Sequence, residues 1–335
     1  MDEPHLNLSS TDIKEGTLDH VKPSNLLPRT VLRSNAYMLL DGDWKFDLDP
    51  EDEGLHKDWH LEHDYTHTAR WPGSVETHMA QAKNDPDSYR KPDRAWHDSV
   101  VVWYERTFEL PRRTEDQSHL MFQLTFGACG YDTRVWLNGH SLKTIEGEEV
   151  HYGEYTSFSY ELDESILQPT NRITVRIADT MDAEIPRGKQ ESHVYKRGGI
   201  WYQTYTGAVR SVWLETVERN RLRSRVSVLS IVEDHLVRFT ITTRIHDPGD
   251  YIIRLSVYDL DDDANPVSTS DYPIYLSAGQ KDQRLVLEVP GARLWSPEHP
   301  YCYRLVARLI HPDGYQAEIQ AHFGLRKIEA RGRYI

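Results

Sequence analysis

VVVWYERTFEL, residues 100–110, and TRVWLN, residues 133–138, decide the fold. In each, apolar and polar residues alternate with a period of two, and the apolar set is rich in β-branched and aromatic side chains. That pattern marks a strand with one face on a core and the other toward water. Asn138-Gly139 follows TRVWL directly, and Asn-Gly is a strong hairpin signal, because both residues tolerate positive φ. Working outward, HLMFQLTF (119–126), RITVRI (172–177) and SVWLETV (211–217) repeat the pattern. Many short strands with regularly spaced turns predict a sandwich or jelly roll.

A second set of strands begins near Leu222. RSRVSVLSIV, HLVRFTITTRIH, YIIRLSVYDL, QRLVLEVP, YRLVARLIH and YQAEIQAHFGL are separated by Gly- and Pro-containing turns such as Asp247-Pro248-Gly249 and Pro312-Asp313-Gly314. About six or seven strands suit an immunoglobulin-like sandwich. The expected organisation is an extended polar arm over 1–34, one sandwich over 35–219, a second over 220–325, and a connecting segment over 326–335. No long amphipathic helix and no internal repeat of 20–50 residues is expected.

The chain has 335 residues, enough for two cores, and a formal net charge of −14. Such an acidic balance disfavours nucleic acid, which calls for a basic surface, and anionic membranes. Nine Trp and nineteen Tyr suit sheet cores and sugar-stacking faces alike. Cys129 and Cys302 lie far apart, with no zinc-like spacing, and are expected as buried free thiols. No metal or other cofactor is expected. The start MDEPHLNLSS has neither a basic nor an apolar leader region, so a cytoplasmic protein is the expectation.

Several segments, taken in order, resemble glycoside hydrolase family 2, the group of β-galactosidases, β-glucuronidases and β-mannosidases. LDGDWKFDLDPEDEG (40–54) is similar to that family's opening strand, and VVWYERTFELP (101–111) to the next signature. DTRVWLNGHSL and HYGEYTSFSYEL are similar to paired strands of its sugar-binding domain. His151, Tyr155 and Phe158 match the usual pattern there, whereas Glu154 stands in place of a Gly and Ser157 in place of a Pro. IADTMDAEIPRGKQ, RGGIWYQTYTGAVRSVWLE, LWSPEHPYCYRLVARL and FGLRKIEARGRYI extend the resemblance to residue 335. It implies an all-β chain: a jelly-roll, galactose-binding-like sandwich, then an immunoglobulin-like β-sandwich. In that family, two carboxylates on a following (β/α)₈ barrel hydrolyse terminal β-glycosides with retention. The resemblance places no catalytic residue in these 335 positions, so the chain alone is expected to be inactive. A barrel in cis, a carbohydrate ligand and assembly into homo-oligomers are the implied partners. A free-standing carbohydrate-binding protein or an inactive family member is the alternative.

The resemblance puts Asp179 where β-galactosidases reach from this domain into the sugar pocket; a turn-capping Asp is the other reading. Arg187, Lys189, Gln190, His193, Trp201 and Tyr202, with Lys196 and Arg197, combine long donors with aromatic faces, as sugar sites do. The alternative is a solvated loop with Trp201 packed beneath the sandwich. His56, His60, His63 and His67 would share one face of a helix, a metal-like pattern, but Trp59 and Tyr65 read better as anchors of that segment. The acids of residues 259–263 lack the Gly and Glu of a calcium loop and read as a hairpin tip.

Overall fold

The computed structural model describes residues 31–32, 37–82, 99–110, 119–261, 264–329 and 332. They fall into two compact units, one within residues 37–216, the other within 217–335 together with short segments that include 31–32 and 119–120. Both units are β-sandwiches, as the alternating patterns predict. Of the arm at 1–34, only Val31–Leu32 lies among the described residues, and it pairs as a short edge strand with Gln316–Phe323.

In the first unit, one sheet runs in the order His151–Tyr152, Asp132–Leu137, Thr170–Thr180, Ser99–Glu109, Gly42–Leu48, His67–Trp71, with His140–Ser141 closing the Asn138-Gly139 hairpin onto Asp132–Leu137. The facing sheet runs Phe158–Glu161, Leu120–Phe126, Val212–Glu218, Tyr37–Leu39. Between them lies an aromatic core. Trp44 packs on Trp71 with ring centroids 4.8 Å apart, and Phe126 stacks parallel to Phe158 at 5.1 Å. Leu40, Trp44, Trp71, Tyr104, Leu124 and Tyr160 are closed to solvent; each such large apolar side chain contributes about 1.5–3 kcal/mol of burial. Thr170–Thr180 pairs with Ser99–Glu109 along its whole length, so its alternation is fixed: Ile173, Val175 and Ile177 enter this core, and Asp179 follows on the same face at its rim.

The outer face of that sheet carries a second cluster of Val101, Trp103 and Trp136, covered by Leu55, Trp59 and Tyr65. Trp59 and Tyr65 are thus anchors of the histidine-rich segment, which folds as turns rather than as a helix. His60 stacks on Trp136, and His63 stacks on Trp59 while its Nε2 meets Asp47 Oδ2 at 2.9 Å. The histidines are therefore divided among different partners, and among the described residues no three His, Cys, Asp or Glu side chains are grouped as a metal site.

One short α-helix, Val75–Ala82, lies among the described residues. Ser74 caps it, its Oγ accepting from Thr77 N at 3.2 Å, and Glu76 lies in the first turn. At eight residues it is too short for a helical period to show.

In the second unit, a five-stranded sheet runs Val31–Leu32, Gln316–Phe323, Tyr303–Ile310, Gly249–Asp259, Pro266–Leu276. A three-stranded sheet runs Arg221–Ile231, Leu236–Ile245, Gly279–Glu288. Phe239, Ile241, Ile253, Leu255, Val257, Leu305 and Phe323 fill its core. Cys129 is a buried free thiol in the first unit, as expected, and burial pushes it up to about 12. Cys302 is only half-buried, because it precedes strand Tyr303–Ile310 rather than lying within it.

Candidate functional site

Asp179 is nine-tenths buried or more, and neither of its oxygens is free. Oδ1 accepts from Arg187 Nη1 at 2.6 Å and from the Thr180 backbone N–H at 2.8 Å. Oδ2 accepts from Thr206 Oγ1 at 3.0 Å. Arg187 is as deeply buried as Asp179 and also donates to Thr180 O. Of its other two nitrogens, Nη2 reaches Gln190 Oε1 at 3.5 Å and Nε is closed to solvent without a hydrogen-bond partner.

Gln190, also buried, joins three segments. Its Oε1 accepts from Tyr205 N at 2.6 Å, and its Nε2 donates to Glu154 Oε2 at 2.6 Å and to Tyr155 Oη at 2.8 Å. Glu154 reaches it because the turn at 153–157 lies hard against the sheet: a Cβ on Gly130 would fall 2.4 Å from Gly153 O. Only a glycine at 130 permits that approach. Glu154 Oε1 is closed to solvent and has no hydrogen-bond partner. Burial, reinforced by the nearby Asp179 charge and opposed by the Gln190 hydrogen bond, pushes the Glu154 carboxyl up to about 7. Burial also raises Asp179, against the pull of Arg187.

This polar network anchors the loop of residues 181–205. Inside the loop, Glu191 N donates to Tyr202 O at 2.7 Å, Tyr202 N to Lys189 O at 2.7 Å, and His193 N to Met181 O at 3.0 Å. Arg197 Nη2 pairs with Glu191 Oε1 at 2.7 Å. Gly198 and Gly199 take φ of +123° and +60°, and Gly198 and Trp201 exchange two backbone hydrogen bonds. The outward set is then Lys189, His193, Lys196 and Tyr202, all exposed. Trp201 is half-buried and stacks on Tyr195, with centroids 4.2 Å apart.

The residues expected from sequence therefore divide in two. Asp179, Arg187 and Gln190 form the buried support. Lys189, His193 and Tyr202 form the exposed face, and Trp201 lies between. Sequence reasoning missed Glu154, Tyr155 and Thr206 as members of the support. One signal existed for Glu154: it departs from the family pattern at a Gly position. Chemically, both oxygens of Asp179 are hydrogen-bonded and Glu154 is shut off from water, which suits a supporting role. The loop offers donors and aromatic faces, which suits recognition.

Two family models match, "Glycosyl hydrolases family 2, sugar binding domain" over residues 37–217 and "Glycosyl hydrolases family 2" over residues 220–326. The chain belongs to glycosyl hydrolase family 2. Among curated proteins it is similar to the β-glucuronidase of Mus musculus, 26% identical over 320 residues, covering 88% of this chain and 45% of that protein. It is likewise similar to a β-galactosidase of Thermoanaerobacter pseudethanolicus, 24% identical over 69% of this chain and 29% of the relative. A putative β-glucuronidase of Formosa agariphila is 23% identical over 68% of this chain and 25% of its own length. The chain thus spans less than half the length of these relatives. A solved β-glucuronidase from Ruminococcus gnavus in complex with D-glucuronic acid shares the fold, with TM-score 0.62 and 20% identity over 89% of this chain and 47% of that one. A family 2 member from Bacteroides cellulosilyticus does so with TM-score 0.61, 18% identity and coverage of 88% and 37%.

Proposed function

We propose that these residues are the non-catalytic front part of a retaining β-glycoside hydrolase. On this reading, the loop at 181–205 forms one wall of the sugar pocket, and the two sandwiches support a (β/α)₈ barrel in the same polypeptide. The observation that carries the reading is the buried Asp179–Arg187–Gln190–Glu154 network. It fixes, at considerable desolvation cost, a loop whose outward groups, long donors and a Tyr, are of the kinds that sugar sites use. The likeness to β-glucuronidases and a β-galactosidase supports the reaction class of this reading, hydrolysis of a terminal β-glycoside.

An antibody raised against this chain tests the reading in the source cells. The expected band exceeds the mass of the 335-residue chain by at least about 28 kDa, a barrel of ~250 residues. The purified chain, offered chromogenic β-glucuronides and β-galactosides, should release nothing above background. A band at the chain's own mass would overturn the barrel in cis and favour a free-standing carbohydrate-binding protein. Turnover by the purified chain would overturn its non-catalytic role.

A further inference from the structure

Between Tyr152 and Ser157, Glu154 is the one fully buried residue. Tyr152, Tyr155, Thr156 and Ser157 are exposed, whereas Glu154 keeps 4% of its surface. Gly153, directly before it, takes φ of +130°, a conformation open to glycine. The turn therefore points a single acid inward and leaves its neighbours in water, so that acid is only one turn away from solvent.

Inside, Glu154 meets charged and titratable groups from several elements. Asp179 faces it from the end of its strand, Arg187 and Gln190 from the loop at 181–205, and Tyr155 from its own turn. The Cys129 thiol and the Tyr205 phenol also lie within its electrostatic reach, and Glu76 of the helix stands near that phenol. Arg187 is the one cation in this set, and its donors are already placed. Nη1 goes to Asp179 Oδ1 and Thr180 O, and Nη2 turns to Gln190 Oε1. Glu154 receives one hydrogen bond, at Oε2 from Gln190 Nε2, while Oε1 is closed to solvent without a partner.

A neutral carboxyl tolerates this setting far better than a carboxylate. Ionised in place, Glu154 would strengthen the Gln190 bond. It would also bury a charged oxygen with no donor and set a second negative charge near Asp179. The short route to relief is outward, through its exposed turn. That route breaks the contact with Gln190, which joins the turn to both ends of the loop through Tyr205 N and Arg187. The loop has little hold of its own at its tip, where His193–Ile200 are all exposed, and segments so held open at low cost.

We propose that Glu154 is a proton-operated latch on the loop at 181–205. Protonated, it holds Gln190 and with it the loop on the sheet; ionised, it turns to water and frees the loop. The consequence for a sugar, weaker binding once the wall is freed, rests on the proposed role of that loop. The latch itself does not. Burial holds the closed carboxyl at about 7, against ~4.3 in water. The latch is therefore fully set below the lower value and is lost as pH rises to the upper one, above which closed and open forms are ionised alike.

Hydrogen exchange of the full chain, followed by mass spectrometry and expressed relative to the unfolded chain at each pH, tests the latch. Protection of peptides within 181–205 should fall at least about tenfold from about pH 5 to 7, the direction set by one proton lost on opening, and then level off. These peptides should exchange faster than strand Thr170–Thr180 throughout, because opening leaves the sheet folded. Glu154→Gln should flatten the profile, and Glu184→Gln, which removes an exposed acid of the same loop, should leave it as it was. Protection in the parent chain that does not change with pH would overturn the latch, whether or not the variants fold. An unchanged slope in Glu154→Gln would do the same. So would loop and strand exchanging equally at every pH, since Glu154 would then titrate with the whole sandwich rather than with the loop. No sugar enters this measurement, so its failure leaves the pocket-wall reading to be judged separately.

Discussion

The two sandwiches share an architecture and differ in what they bury. The second fills its core with Phe239, Ile253, Leu255, Val257, Leu305 and Phe323; it buries the Arg221 guanidinium, whose Nη1 donates to Glu218 O at 3.2 Å, and keeps its Arg254–Asp271 and Arg308–Glu318 pairs on the outside. The first surrounds an aromatic core with buried charge: the Asp179–Arg187 pair, Glu154, and Arg176 held by Asp52. A buried ion pair is a poor way to hold a domain together, because apolar residues of similar volume generally do as well or better. The second sandwich shows that this fold closes with such a core. The buried charge around Asp179 is therefore explained by what it supports, the loop at 181–205 with Lys189, His193 and Tyr202 facing out.

The sharpest way to break this comparison is Arg187→Ala. It leaves Asp179 buried beside Thr206 without its cation, at a cost of about 3–5 kcal/mol. Urea unfolding followed by tryptophan fluorescence measures the loss. A change below about 1 kcal/mol, the range of exposed pairs, would mean that the pair is not the support described here.

Next in size is the pH response of Glu154. Its folded carboxyl titrates near 7, above the ~4.3 of an exposed Glu, so the folded state favours the protonated form. The stability it provides is complete below the unfolded value and is lost as pH rises through about 7. Melting of the first unit should therefore fall between pH 5 and 8, by on the order of 2–4 °C for each kcal/mol lost. Glu154→Gln, which keeps an amide in place of the protonated acid, should flatten that slope. His78 acts in the opposite sense: burial lowers its pKa, so its contribution is lost as pH falls, at the acid end of the curve. A slope that survives Glu154→Gln would remove Glu154 from the network's energetics.

The contrast also shows what a sequence can and cannot display. Alternation in VVVWYERTFEL and TRVWLN gave away the strands, because a half-buried strand writes its period into every second residue. Thr170–Thr180 and the residues around it were legible for that reason, and the resemblance then placed Asp179 at the strand's end. The buried network was not legible. Arg187 and Gln190 look like solvated loop residues, and their burial depends on Tyr205 and Thr206 at the far end of the loop and on Glu154, brought in from elsewhere in the sequence. Polar burial has no period. Its one trace was negative, a Glu where the family pattern has a Gly.

Ile253→Val in the second unit is the next smaller effect. Ile253 is closed to solvent in the apolar core, and the lost methylene costs about 0.5–1.5 kcal/mol. The measurement that sharpens the comparison is its pH dependence. With no titrating group changed, the loss should stay constant across the range in which Glu154 alters the first unit. A loss that varied with pH would mean that the two sandwiches do not differ as described.

The smallest expected effect is Arg254→Ala. The side chain makes two good hydrogen bonds to Asp271, at 2.6 and 2.7 Å, and geometry alone would rank it beside Arg187. Both partners, however, keep about two-fifths of their side-chain surface in water, where solvent replaces most of what the pair supplies. The loss should be about 0.2–1 kcal/mol and should shrink further in high salt. Two arginine–aspartate pairs with the same shortest contact, 2.6 Å, would then differ severalfold in consequence. That ratio, measured by the same unfolding assay, isolates burial as the variable separating a support from a surface ornament. A loss at Arg254 as large as that at Arg187 would mean that contact geometry, rather than burial, sets the cost.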